Sequence, residues 1–107
     1  AHVHCGKPGV NGPVAFSLAP GEEDNSEEIS IMGTITDDDI TETDCGMTVL
    51  DLYYSIYLAE AYVNVHSTEN PSGEIRGSYM GIEVTAFPLS GEMQVPPLDT
   101  DVIGMAM

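Results

Sequence analysis

The chain has 107 residues, of which 42% are apolar, so it is long enough for one small domain with a modest hydrophobic core. It carries 18 acidic residues against a total of two lysines and arginines, which gives a formal net charge of -16. Such a surface repels phosphate backbones and anionic membranes and favours bound cations. We therefore expect neither nucleic acid as a partner nor direct membrane insertion.

Turn residues punctuate the sequence at short intervals, and the segments between them are short, apolar and rich in β-branched residues. This pattern predicts an all-β domain. The candidate strands cover residues 1–4, 13–18, 28–36, 61–67, 73–80, 82–89 and 92–96. The glycine and proline segment at residues 6–13 and the acidic segment at residues 21–28 are predicted to be surface loops.

The segment MTVLDLYYSIYLAEA, residues 47–61, fits both a helical stripe and a strand alternation. Thr48 and Asp51 have the spacing of a capping box, so we predict a short helix. The preceding run DDDITETD, residues 37–44, could offer carboxylates to calcium, but it lacks the spaced ligands and the central glycine of an EF-hand loop. A solvated turn is the preferred interpretation of that run.

Cys5 and Cys45 are the two cysteines of the chain. Two is the number needed for a single disulfide, and small secreted domains often need one because their cores are limited. We therefore predict a Cys5–Cys45 disulfide, with a thiolate metal ligand at Cys5 as the alternative. No leader segment is visible, so a secreted chain would already have lost it.

The stretch AHVHCG places His2 and His4 one residue apart. Side chains alternate in a strand, so both would lie on one face, and the same rule puts Asn64 and His66 together on one face of YVNVH. If these strands are neighbours, the three histidines of the chain converge, and three imidazoles suit copper or zinc. The alternative is half-exposed strand histidines bonded to carbonyl or carboxylate groups.

The stretch GEIRG, residues 73–77, places Glu74 and Arg76 on one face of a strand. The preferred interpretation is a structural ion pair between them, or an arginine fork bonded to loop carbonyls. The functional alternative is a contact between Arg76 and an anion or a substrate.

The segments AHVHCG, NGPVAFSL and AYVNVHSTENPSGEIRG, in this order and spacing over residues 1–80, resemble the signature of the CHRD domain. The resemblance implies an extracellular immunoglobulin-like β-sandwich or barrel, usually without enzyme activity, and it implies that the helix before YVNVH is real. A more distant resemblance to copper-zinc superoxide dismutase implies that His2, His4 and His66 match copper-ligand positions. The chain departs from that enzyme because it lacks a fourth, bridging histidine and an evident zinc loop.

The segment FPLSGEMQVPPLDTDVIGMAM, residues 87–107, resembles the opening of a CHRD domain, of the form GxxEVPPVxTxAxG, rather than its end. We therefore divide the chain into the later part of a module, residues 1–86, and an opening-strand segment, residues 87–107. That segment completes the open edges of a sheet, either in a neighbouring subunit or tandem module, or by folding back as in a circular permutation. Pairing with another subunit is the favoured expectation, and its head-to-tail repetition generates a filament.

These observations predict an extracellular or cell-surface module with a structural or interaction role, bound copper or zinc, and assembly into a homo-oligomer, filament or surface layer. The alternative is a copper enzyme of the dismutase type. The acidic surface disfavours that alternative because it repels an anionic substrate.

Overall fold

One antiparallel sheet of six strands organises the described part of the chain, in the spatial order β2-β1-β3-β4-β5-β6. The computed structural model describes residues 1–18, 30–43, 45–82 and 86–107. The strands are β1 (His2–Cys5), β2 (Val14–Ser17), β3 (Ala61–Val65), β4 (Ile75–Ser78), β5 (Phe87–Ser90) and β6 (Ile103–Ala106), and the helix α1 spans Val49–Tyr57. The predicted all-β fold with one short helix is confirmed.

Four predicted strands, at residues 1–4, 13–18, 61–67 and 73–80, overlap β1, β2, β3 and β4. The prediction at residues 82–89 overlaps β5 only at its end, and residues 83–85 lie outside the described residues. β1 alternates half-buried and buried residues, which is the pattern of a strand between two different environments.

Two strand predictions are wrong. Residues 30–36 form no strand, while positions 28 and 29 of that prediction and the acidic loop at 21–28 lie outside the described residues. Residues 92–96 contain the end of a 3-10 turn, Gly91–Met93, followed by bends. Pro96 and Pro97 have no N–H group to donate to a strand ladder, and the last strand, β6, lies further along the chain.

The core lies on one face of the sheet. Val3 pairs with Val63, and Val63 pairs with Gly77, so these positions share that face. A Cβ atom at Gly77 would lie 2.2 Å from the carbonyl oxygen of Pro88, so the glycine allows β5 to approach. The buried cluster consists of Val3, Ala15, Phe16, Leu52, Val63, Ile75, Phe87 and Leu89. In the described residues this face is covered by α1 and by the irregular segment that contains Ile35 and Ile40.

The helix α1 begins with the predicted capping box. The Thr48 side chain accepts a hydrogen bond from the Asp51 amide at 3.1 Å, and Asp51 Oδ2 accepts from the Met47 and Thr48 amides at 2.9 and 3.1 Å. These bonds satisfy amides that have no partner within the helix. Leu52 is the buried residue of the helix. No helix among the described residues has the length and apolarity needed to span a membrane.

The C-terminal segment extends the sheet of its own chain. β5 pairs with β4, and β6 pairs with β5 from Phe87 opposite Ala106 to Ser90 opposite Ile103. Within the single chain, residues 87–107 therefore fold back and supply the last two strands. The open edge of β4 is completed in this way within the chain itself, whereas pairing of this segment with another subunit, the favoured expectation, stays a prediction.

The predicted disulfide is present and joins the sheet to the turn that precedes α1. Cys5 and Cys45 are bonded with their Cα atoms 6.4 Å apart, inside the range that a disulfide allows. Cys5 is 1% exposed and lies at the end of β1. The bond thus closes a long loop against the centre of the core.

We predict that removing this disulfide by the double substitution Cys5→Ala, Cys45→Ala lowers the free energy of unfolding by about 4 kcal/mol. This is the chain-entropy value for a loop whose ends are 40 residues apart, and the unfolded chain regains that freedom when the bond is lost. Urea unfolding of the variant and of the oxidised parent measures the difference. Equal urea midpoints and equal slopes for the two proteins would contradict the prediction.

Candidate functional site

The second face of the sheet is polar. β1 and β3 pair so that His2 lies opposite Asn64 and His4 lies opposite Tyr62, and Asn64 also lies opposite Arg76 on β4. Residues directly opposite each other point to the same side of a sheet. These five side chains therefore form one continuous surface across three strands, which we call the polar face.

The histidines approach one another on the polar face, as predicted, but they do not form a three-ligand centre. His2 Nδ1 lies 2.5 Å from His66 Nε2, and the two ring centroids are 4.6 Å apart. The ring centroid of His4 is 5.9 Å from that of His2. Among the described residues, no group of three histidine, cysteine, aspartate or glutamate side chains is placed so that it could hold a metal ion. His2 and His66 are thus a contacting pair with His4 beside it.

Two imidazole nitrogens of this cluster are buried without a hydrogen-bond partner, His4 Nε2 and His66 Nδ1. The Nδ1 atom of His4 lies 2.8 Å from the Gly12 carbonyl oxygen. Because a carbonyl only accepts, His4 Nδ1 carries the proton, and Nε2 of the neutral ring keeps a free lone pair. Nitrogen atoms in this state accept hydrogen bonds or ligate metal ions.

Burial is the main cause that lowers the pKa of each of the three histidines below its ordinary value. The neighbouring His66 lowers the pKa of His2 further, since two imidazolium ions in contact would repel each other. The hydrogen bond to Gly12 opposes the shift of His4. The three rings are therefore neutral at neutral pH, which is the form that binds metals.

Arg76 fastens a loop onto the polar face. Its Nη1 donates to the Val10 carbonyl at 3.3 Å and its Nη2 donates to Asn11 Oδ1 at 2.6 Å. The guanidinium carbon lies 4.2 Å from the centroid of the Tyr62 ring, which is a cation–π contact. Arg76 is 5% exposed, its Nε has no partner, and burial lowers its pKa. The predicted fork bonded to a loop carbonyl is therefore present.

The predicted ion pair between Glu74 and Arg76 is not formed. Glu74 accepts hydrogen bonds from Ser67 Oγ at 3.4 Å and from Asn70 Nδ2 at 3.0 Å. The turn before β4 offers these neutral donors beside the carboxylate, so Glu74 stabilises the turn instead. Among the described residues, an ion pair is formed instead near the surface, where Lys7 Nζ lies 3.9 Å from Glu60 Oε1.

The glycine and proline loop at residues 6–13 lies against the polar face through Gly12. Its amide donates to the Tyr62 hydroxyl at 3.0 Å, while its carbonyl accepts from His4. The Tyr62 ring stacks on the His4 ring with centroids 4.7 Å apart. His4 and Arg76, from the strands on either side of β3, thus both contact Tyr62 and both hold the loop.

A cleft of about 290 Å³ opens beside Arg76, between the loop and the segment that follows β5. Gln94 Nε2 donates to Asn64 Oδ1 at 2.8 Å, and Asn64 Nδ2 donates to the Ser72 carbonyl at 3.1 Å. These bonds build one wall of the cleft from buried amides. No aspartate or glutamate lines it among the described residues.

The acidic turn before α1 uses its carboxylates as caps. Asp37 Oδ1 accepts from the Val49 amide at 2.8 Å, and Asp39 Oδ2 accepts from the Thr36 amide at 2.8 Å. Both carboxylates therefore have structural partners, while Asp44 lies outside the described residues.

The CHRD domain family matches residues 1–79, and this range includes the strands that carry the polar face. The chain belongs to the CHRD domain family. The predicted family is thereby confirmed, and residues 87–107 lie beyond the match. Comparisons with curated proteins and with solved structures each found no match.

Three residues of this CHRD domain that build the site, Asn11, Tyr62 and Gln94, were not predicted as site residues. Tyr62 precedes Asn64 by two positions, so the same strand alternation that places Asn64 beside His66 would have found it. Gln94 lies in a segment wrongly predicted as a strand, and its bond to Asn64 joins residues 30 positions apart. No local pattern indicates such a contact.

We predict that Gly12→Ala lowers the free energy of unfolding by more than about 2 kcal/mol, because a backbone clash of this kind displaces the whole loop. A Cβ atom at Gly12 would lie 1.7 Å from the carbonyl oxygen of Cys5. Gly33→Ala is the matched control, since a Cβ atom there has nothing within 4 Å. Urea unfolding measures both variants, and an unchanged midpoint for Gly12→Ala would show that the loop is not held as described.

Proposed function

We propose that this CHRD domain is a non-catalytic extracellular module with a structural or interaction role, and that its copies assemble through the free edge of β6. Membership of the family supports an extracellular module. The Cys5–Cys45 disulfide supports it independently, because disulfides persist in oxidising compartments.

The observation that carries the assembly proposal is the state of β6. Among the described residues, this strand is the last of the sheet and pairs with β5 on one side only. Ile103 is 82% exposed, Met105 is 64% exposed and Met107 is 93% exposed. An edge strand that is both unpaired and apolar is a template for pairing with another strand.

The distribution of charge along the edge supports a second copy of the chain as the partner. Residues 102–107, VIGMAM, contain no charged side chain, whereas the chain as a whole has a formal charge of -16. Two copies repel each other over most of their surfaces because both are acidic. At this uncharged edge the repulsion between them is weakest, so contact is least opposed there. Antiparallel pairing of β6 with β6 about a two-fold axis would bring equal apolar residues together and hydrogen-bond both edges.

We predict that the double substitution Ile103→Lys, Met105→Lys makes the chain monomeric, while the parent forms oligomers that strengthen as salt screens the like charges. Light scattering after size-exclusion chromatography, up to millimolar concentration, measures both. The two lysines reduce the net negative charge, so a loss of assembly could not be attributed to added repulsion.

The matched control is Leu50→Lys on α1, because Leu50 is also an exposed apolar residue, at 75%. This variant should assemble like the parent. A parent chain that stays monomeric at every concentration and salt would reject the assembly proposal. Loss of assembly in Leu50→Lys alone would assign the contact to the helix instead.

We further infer that the histidine pair binds copper or zinc once its rings turn, because the three histidines do not form a metal site as they stand; His2 and His66 would be the first ligands and His4 Nε2 the third. The contact between His2 and His66 supports this, because two neutral imidazoles already lie side by side. The free lone pair of His4 Nε2 supports it as well. Three neutral imidazoles are a ligand set for either metal.

We predict that the chain, with its Ala1 amine acetylated, binds one equivalent of zinc or of copper(II). The substitution His66→Gln should weaken this binding at least tenfold. Acetylation removes the terminal amine as a competing ligand. Isothermal titration in moderate salt measures the affinity, and salt suppresses diffuse binding to the acidic surface. Asp38→Asn is the control for such diffuse binding and should change nothing. Equal affinity of the parent and His66→Gln would reject the site.

The dismutase alternative has no comparable support in the described residues. A redox enzyme needs a metal centre with an open position and a substrate that reaches it. The charge of -16 opposes the approach of an anionic substrate. We therefore keep the metal proposal separate from any catalytic role.

A further inference from the structure

The guanidinium of Arg76 is a buried cation that has no counter-ion among the described residues. It is 5% exposed, and its partners are the Val10 carbonyl, the Asn11 side-chain oxygen and the Tyr62 ring. No carboxylate of the described residues lies within 4.0 Å of it. All of its partners are neutral groups. A buried charge is strongly disfavoured unless an opposite charge compensates it, and the described residues supply none to this site.

Arg76 also retains hydrogen-bonding capacity. A guanidinium has five N–H groups, and only one on each terminal nitrogen is used by the loop. The Nε–H has no partner although it is buried. Arg76 lines the cleft of about 290 Å³ together with Asn64, Ser72 and Gln94. The chain carries 18 acidic residues, yet none of the described ones lines this cleft.

We propose that this cleft binds a carboxylate group, which pairs with the guanidinium of Arg76. A carboxylate has two oxygen atoms in one plane, and their spacing matches two parallel N–H groups along an edge of the guanidinium. It would supply the missing negative charge and an acceptor for the Nε–H at once. This inference is independent of the assembly and metal proposals.

The carboxylate can come from two sources with the same chemistry. One is a small carboxylate ion, for which the cleft is large enough. The other is an aspartate or glutamate side chain of a second copy. The net charge of the chain opposes either approach at long range, and moderate salt screens that repulsion more than it screens a buried pair.

Arg76 is the only arginine of the chain, so its Nε–H gives a single resolved signal in a proton–nitrogen correlation spectrum. We expect acetate, added at constant ionic strength against sodium chloride, to shift this signal in a saturable way. Acetamide has the same shape without the charge and should give no saturable shift. A shift that appears on concentrating the protein and is reversed by acetate would identify the side chain of a second copy as the source.

Two variants test the site while keeping the arginine signal. Asn11→Asp places a carboxylate where Asn11 Oδ1 lies 2.6 Å from Nη2, so it should neutralise the guanidinium internally and weaken acetate binding at least tenfold. Ser72→Phe narrows the cleft and should have the same effect. The control for Ser72→Phe is Ser30→Phe, at an exposed serine that does not line the cleft.

The outcomes separate clearly. A saturable acetate shift that is lost in Ser72→Phe and kept in Ser30→Phe supports the proposal, as does the acetate-reversible shift on concentration. The proposal is overturned if the signal responds to neither acetate nor protein concentration, or if acetate and acetamide shift it equally. It is also overturned if Asn11→Asp, shown to be folded by its spectrum, binds acetate as well as the parent does.

Discussion

The burial of Arg76 is the constraint on which the polar face depends. An antiparallel sheet of this size commonly packs one face on a core and leaves the other in water. Here the second face is covered by the loop that carries Val10 and Asn11. The guanidinium holds that loop, and Asn11 in turn donates to the Val95 carbonyl at 3.0 Å. Arg76 and Asn11 together thus join β4, the loop after β1 and the segment after β5.

The energetics of this arrangement are finely balanced. Hydrogen bonds to a charged group contribute about 1.5 to 3 kcal/mol each, and the contact with Tyr62 contributes about 0.5 to 2 kcal/mol. Against these stands the desolvation of the guanidinium, which is several kcal/mol for a buried ion. The other basic residue, Lys7, is 72% exposed in its side chain and pairs with Glu60. The chain therefore places one of its two basic side chains in a largely buried position, although its net charge is strongly negative.

Much of the fold could be predicted from the sequence because it is encoded locally. Strand alternation located β1 and β3 and put His2, His4 and His66 on one face, and the spacing of the capping residues located α1. Contacts between distant segments could not be predicted in this way. The segment around Gln94 has the composition of an edge strand, yet its role is to bring one amide to Asn64, which depends on where the chain returns after β5. The prediction for Glu74 is wrong for another reason: its donors, Ser67 and Asn70, are near in sequence, but a turn rather than a strand face brings them to the carboxylate.

The two edges of the sheet are not equivalent, and this limits how copies can join. At the β2 edge, the Thr41 amide donates to the Ala15 carbonyl at 2.7 Å, so an irregular segment already occupies part of that edge. At the β6 edge no such backbone bond from Ile103 to Ala106 is present in the described residues. Pairing of β6 with β6 consumes the open edge of both copies and stops at two. A longer assembly requires β6 of one copy to meet β2 of the next, and the segment at Thr41 must leave that edge first. If copies of this domain assemble as proposed, a head-to-tail filament would require that segment to move, whereas a two-fold pair would need no such rearrangement.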